Sequence, residues 1–336
     1  MKHSIGWFVG SVSLVLGSNL CSCGSSAAPT TSSFQAPTTP LDGAEAGTTQ
    51  PFAATDAAPP PTAPPKIIFY ANSDTTLYQL DPANLSAPMV TIGDFDCVGV
   101  PGGTTVMTDI AVSKDGKVYG VSAAAAWPLT IKGSVVHCDA KWPLTYDTHF
   151  NGLTFAPENT VATDEVLIGG NEAGELYRIE TGTGTSTQIG TLGTDTATGL
   201  PWTISGDMVF LANGGNPIGF ATVRTCPTPA TCGFTDSLME IDVKALHPGT
   251  QSVMKSIRGE VVRGTWCTNA ASPKSFGSMF GIIAFHDKVY GFSRRGDFIE
   301  MLNDTGTGCL VAANPTVKFA GAGITTIAPV VAPPPR

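Results

Sequence analysis

Apolar residues in this chain fall in short alternating runs, and one pair of runs recurs. The first element ends in Lys117-Val118-Tyr119-Gly120 in one copy and Lys288-Val289-Tyr290-Gly291 in another. The second reads Leu77-Tyr78-Gln79-Leu80-Asp81, then Leu176-Tyr177-Arg178-Ile179-Glu180, then Leu238-Met239-Glu240-Ile241-Asp242. Runs of this length, rich in Val, Ile, Thr, Tyr and Phe and punctuated by Gly, Asn, Asp and Pro, predict strands and tight turns. The Lys114-Asp115-Gly116 step is a hairpin signal. No stretch of helical length keeps a 3.6 period, and Asp242 to Leu246 predicts a single turn before His247-Pro248. Units of this kind cannot bury a core singly and must stack in a line or a ring.

The two ends of the repeating region favour the ring. The first copy starts at Ile67-Ile68-Phe69-Tyr70 without a preceding inner strand. The segment Gly323 to Pro329 resembles Gly152 to Pro157, an inner strand, but no unit follows it. The expected fold is an all-β propeller of five four-stranded blades, closed by that last segment pairing beside the first strand. Closure removes open sheet edges. A ring of six or seven blades, with extra blades in the insertions, is the alternative. In the fourth unit Trp202 to Ile204 and Met208 to Leu211 are expected to be separate strands. Asn213 to Asp236 is then a long excursion suited to recognition.

Outside the repeats, Lys2 and His3 precede an apolar run from Ile5 to Leu16, the length of a signal peptide rather than a span. Leu20-Cys21-Ser22-Cys23-Gly24 resembles the lipobox of bacterial lipoproteins, with Cys23 as the acylated residue. That resemblance implies more than one acyl chain at the mature N-terminus, enough for stable anchoring. Gly24 in place of the inner-membrane retention Asp implies the outer membrane, on its periplasmic face or at the cell surface. Residues 1–22 are therefore expected to be a signal peptide. Residues 23–65, rich in Pro, Thr and Ala, are expected to be a disordered tether. Residues 66–330 form the propeller and 331–336 an unstructured tail.

The 336 residues carry a formal charge of −9, only 13% are charged, and Gly (38) and Pro (26) are abundant. This suits an exported all-β protein and argues against a nucleic-acid partner, which needs clustered Lys and Arg. Six cysteines remain after Cys21 and Cys23. The expected pairs are Cys97–Cys138, Cys226–Cys232 and Cys267–Cys309, the second being a stapled loop of five intervening residues. No paired CxxC or His at ligand spacing points to a metal, and no cofactor is expected.

Motifs of catalysis are absent: there is no GxSxG, HExxH, EF-hand loop or GxxxxGK[ST]. Propeller ligands gather where the N-terminal ends of the inner strands converge. The candidate binding residues there are Asp109, His149, Asn151, Thr198, Ser278 and Thr325, and no residue is assigned a catalytic role. Asp109, the one carboxylate of this set, suits either a cation or backbone hydrogen bonds that close the channel. His149, in the polar-aromatic run Tyr146 to Asn151, has an Asp nearby but no nucleophile paired with it.

The copy Glu175 to Gly182 followed by Thr187-Gln188-Ile189-Gly190 resembles the LYxIDxxTGxxTxIG repeat of secreted bacterial propellers related to the quinoprotein-like and NHL-like groups. The resemblance covers about 265 residues and implies the fold. The tryptophan docking motifs of quinoprotein dehydrogenases are missing, so it does not imply quinone binding. The expected function is that of a membrane-anchored lipoprotein whose propeller is a non-enzymatic scaffold binding protein or glycan. The alternative is a hydrolase or lyase of sugars or lactones, with a divalent cation.

Overall fold

A computed structural model describes residues 66–145, 149–227 and 231–336. The chain separates into two units, 1–61 and 62–336, and all described residues lie in the second. The expected signal peptide, Cys23 and the tether, as well as Tyr146 to Thr148, lie outside the described residues.

The described chain is all β apart from two single 3-10 turns, Asn213–Gly215 and Val243–Ala245. No described helix is long and apolar enough to cross a membrane. The first sheet contains β1 (Phe69–Ser73), β2 (Thr76–Leu80) and β3 (Val90–Phe95). The second has β4 (Asp109–Val112), β5 (Val118–Val121), β6 (Ala125–Lys132) and β7 (Val135–Cys138), with β8 (Trp142–Pro143) beside β6. The third has β9 (Phe150–Ala156), β10 (Val166–Asn171), β11 (Glu175–Ile179) and β12 (Ser186–Thr191). The fourth has β13 (Trp202–Leu211), β14 (Ile218–Thr225) and β15 (Ser237–Ile241). After β16 (Gly249–Ser252), which leaves to join β12, it ends with β17 (Met254–Glu260). The fifth has β18 (Met279–Phe285), β19 (Lys288–Ser293), β20 (Asp297–Leu302) and β21 (Gly308–Ala313). Finally β22 (Phe319–Gly323) pairs antiparallel with β1, Tyr70 opposite Gly323 and Ala71 opposite Ala322.

The innermost strands touch in a closed cycle: β22 with β4, β4 with β9, β9 with β13, β13 with β18 and β18 with β22. Apolar residues fill the seams between neighbouring sheets, as the alternation of strand faces requires. Ile110 and Val112 of β4 pack toward Leu77 and Phe95, while Ala111 packs toward Leu153 and Phe155. The third and fourth sheets enclose Ile168, Leu176, Ile204 and Met239. The fifth sheet shares one core with the fourth and the first, through Ile283, Phe292, Phe220 and Phe69. Cores between radially arranged sheets, rather than within one layer pair, give a propeller-like fold.

Outer edges are tied to their neighbours. β3 pairs parallel with β7 and β12 with β16. Arg263 bridges Gly308 between the fourth and fifth sheets. Disulfides reinforce two of these ties, Cys97–Cys138 and Cys267–Cys309, and Cys226–Cys232 closes the loop after β14. Three disulfides suit an oxidising, extracytoplasmic compartment.

Three expectations change. The closing strand is Phe319–Gly323, not Ile324 to Pro329. Gly321 lets β22 approach, because a Cβ there would meet Asp109 and Asn72, and the residues after Gly323 turn across the ring toward Val112 and Ala212. The expected excursion contains a strand: β14 pairs with β13 along its length. The Asn213-Gly214-Gly215 turn joins them, with Gly214 and Gly215 at φ +61° and +92°. The tail is laid down rather than loose. Val331 N donates to His286 O, Arg258 Nη1 to Pro334 O (3.3 Å), and Arg336 Nη2 to Arg258 O (2.6 Å). A Pro-rich segment suits this role because it is extended before it docks.

Candidate functional site

At the centre of the ring the inner strands approach too closely for an open channel. A Cβ on Gly206 would collide with Met279 O, and one on Gly281 with the backbone of Gly321 and Ala322. Asp109 and Asp207 stand here, neither with any exposed surface. Asp109 accepts from Ile110 N (2.7 Å), Leu153 N (2.5 Å) and Ala322 N (3.1 Å). Asp207 accepts from Met208 N (2.6 Å) and Ile282 N (2.8 Å), and the two carboxyls hydrogen-bond each other. Burial pushes both pKa values well above the usual carboxylate range, and the Asp207 charge raises that of Asp109 further. Such a pair holds a shared proton more tightly than free carboxyls do. Its oxygens are engaged by backbone, so its geometry is that of a fastener between strands.

A cleft of about 380 Å³ opens toward the N-terminal ends of the inner strands, within the size range of small-molecule sites. Asn151 and Glu172 from the third sheet, Thr203, Ser205 and Arg224 from the fourth, and Phe280 from the fifth line it, beside the Cys226–Cys232 staple. Asn151 Nδ2 donates to Glu172 Oε1 (3.2 Å). The register shift of β13 between Ile204 and Met208 turns Ser205 inward. Ser205 is only 2% exposed, and its hydroxyl makes no hydrogen bond. Behind it, buried Asp236 accepts from Met279 N (2.9 Å) through Oδ2, while its Oδ1 has no partner. Burial lifts the Asp236 pKa to about 6. The Met279 bond, the Arg224 charge, the nearby Ser205 hydroxyl and Arg295 each hold it lower than burial alone would. The Nε of Arg224 is also buried without an acceptor. Ser205 and Arg224 line the cleft, each with a polar atom whose hydrogen-bonding capacity is unused, and Asp236 lies fully buried behind them.

Of the six residues expected at this mouth, Asn151 lines the cleft. His149 is exposed, in the left-handed region (φ +51°), two residues before it. Ser278 leads into β18, also left-handed (φ +57°), with its carbonyl accepting from Arg294 N. Asp109 is sealed beneath. Thr198 does not join them: it caps its own loop by donating to Asp195 Oδ2 (2.7 Å), because β13 starts later, at Trp202. Thr325 lies at the opposite end of the inner strands, bridged to Val112. Sequence reasoning passed over Asp207, Ser205, Arg224, Asp236 and Glu172. One signal was present: Asp207-Met208-Val209 repeats the Asp109-Ile110-Ala111 pattern, an acid leading an apolar inner strand. Among the described residues no three His, Cys, Asp or Glu side chains come together as a metal cage.

No protein-family model matches the chain. No curated protein matches it either. Among solved structures it is similar to that of U3-55K, at 10% identity over 78% of this chain and 82% of that one, with a TM-score of 0.38. A superposition that loose carries no argument about fold or function, which rest on the strand pairings and side chains described above.

Proposed function

We propose that this chain is a membrane-anchored surface lipoprotein whose propeller, of five four-stranded blades, is a non-enzymatic module binding protein or glycan. The cycle of five inner strands and the pairing of β22 with β1 support the blade count. The lipobox-like Leu20 to Gly24 supports acylation at Cys23 after removal of residues 1–22, and the Gly24 position supports the outer membrane. The single observation that carries the binding role is the cleft with its unused polar atoms. The central carboxylates, which an enzyme of this architecture would present to substrate, are instead sealed and bonded to backbone.

The test uses the full chain expressed in a bacterial host. Labelling with a fatty-acid analogue is expected to mark the wild type and not Cys23→Ser. The purified protein is then applied to arrayed glycans and to intact cell surfaces, with product release followed in parallel. Retention without turnover is the expected result. Cleavage of a retained glycan or lactone would overturn the non-enzymatic reading in favour of a hydrolase or lyase.

A further inference from the structure

The donors and acceptors of the cleft define what fits it. At the cleft wall Arg224 Nε offers a donor and Ser205 Oγ either a donor or an acceptor, both without a partner of hydrogen-bond geometry. A ligand that satisfies both must present an acceptor to Arg224 and, beside it, a donor or an acceptor to Ser205. Adjacent hydroxyl groups do this, since each O–H both donates and accepts. Asn151, Glu172 and Thr203 add further amide, carboxylate and hydroxyl groups along the wall, and the ring of Phe280 supplies an apolar face.

The charge balance decides between a neutral and an anionic ligand. Arg224 is offset by the Asp236 charge behind it, and Glu172 adds a second carboxylate to the same wall. The other guanidiniums nearby are engaged: Arg294 with Asp74 (2.5 Å) and stacked over Phe280, Arg295 with Asp297 (3.3 Å) and over Phe234. Among the described residues at the cleft no uncompensated cation remains for a phosphate or carboxylate, and the buried Asp236 would repel one. We propose that the cleft binds a neutral pyranose sugar, reading a vicinal pair of hydroxyls through Ser205 and Arg224 with the ring's C–H face against Phe280. This deepens the binding-module reading and rests on it.

The test is ligand-observed NMR on the full chain with methyl β-glucopyranoside, methyl α-mannopyranoside and methyl β-galactopyranoside, with glucuronate and inorganic phosphate alongside. At least one neutral glycoside is expected to bind saturably and the two anions not to bind. Ser205→Ala is expected to weaken binding about tenfold, the loss of one hydrogen bond to a buried partner. Arg224→Ala is expected to abolish it. Should Arg224→Ala fail to fold, Asn151→Ala, at a partly exposed position, takes its place with an expected several-fold loss. Inert neutral glycosides on a folded protein that still adheres to cell surfaces would overturn this inference and leave the module reading standing. Preference for phosphate or glucuronate, or sugar binding unaffected by the Ser205 and Arg224 variants, would also overturn it. A protein that adheres to nothing would overturn both.

Discussion

The carboxyl of Asp109 on β4 meets that of Asp207 on β13, and between them they hold backbone amides from β22, β9 and β18 as well as their own strands. Two side chains therefore fasten all five inner strands. This explains how a ring can be closed so tightly at glycine positions, where little side-chain packing is left to hold it.

The pair makes stability depend on pH in a stated direction. Its pKa is raised in the fold, so its contribution is complete below the ordinary carboxylate value and is lost as pH rises through the folded value. Each proton retained by the fold and released on unfolding costs about 1.4 kcal/mol per pH unit. Urea denaturation followed upward from the ordinary carboxylate range is expected to show falling stability as pH rises. In Asp207→Asn, which cannot ionise, the slope is shallower. A flat profile in the wild type would contradict the shared proton.

Asp236 gives a second, narrower window. Its pKa rises from 3.8 to about 6 on folding, so stability is lost as pH climbs from about 4 through 6. The shift corresponds to about 3 kcal/mol as an upper bound. The difference in urea midpoint between wild type and Asp236→Asn is expected to change across that interval and to stay constant from pH 7 upward.

Gly206 and Gly233 should respond very differently to the same change. A methyl group on Gly206 meets the Met279 carbonyl and neighbouring backbone, which have no room to yield, whereas one on Gly233 meets open space. Gly206→Ala is expected to cost about 3 kcal/mol or more, and Gly233→Ala to be neutral within about 0.5 kcal/mol. Thermal denaturation of the two variants measures this.

The disulfides should rank by the loop they close. Cys97–Cys138 spans 41 residues and Cys226–Cys232 spans 6. Replacing both cysteines of each pair by serine is expected to cost about 4 and about 2 kcal/mol respectively, from the unfolded-chain entropy released. Denaturation midpoints of the two double variants give the order.

Glu240 and Arg258 form a buried ion pair, with Lys255 adding a bond to Glu240 at 2.8 Å. Glu240→Gln leaves the Arg258 charge without its main counterpart and is expected to destabilise the protein by about 3 kcal/mol. The loss should persist in high salt, since a buried pair is poorly screened.

Much of the strand pattern was legible because turns and period-two runs are local. Lys114-Asp115-Gly116 and the three Leu-initiated runs announce their hairpins without help from the rest of the chain. The second strand of the fourth sheet was not legible. Ile218-Gly219-Phe220-Ala221 lacks the Lys-Val-Tyr-Gly signature of its counterparts and begins after Pro217, so it reads as loop until paired with β13. The end of the ring was read a few residues late for a similar reason: Gly321-Ala322-Gly323 has little strand propensity and is a strand only because β1, β4 and β18 crowd it. Of the cleft, only Asn151 could be named beforehand. Ser205 is turned inward by a register irregularity, and Glu172, Arg224 and Phe280 come from three different sheets. Such convergence has no trace in linear spacing.

The strand that completes the first sheet is made long after its partner. Tyr70 must wait for Gly323 to leave the ribosome before the two can pair. During synthesis the exposed margin of β1 stays unsatisfied while later sheets assemble, so the growing chain remains an open arc. Only the finished chain can lock.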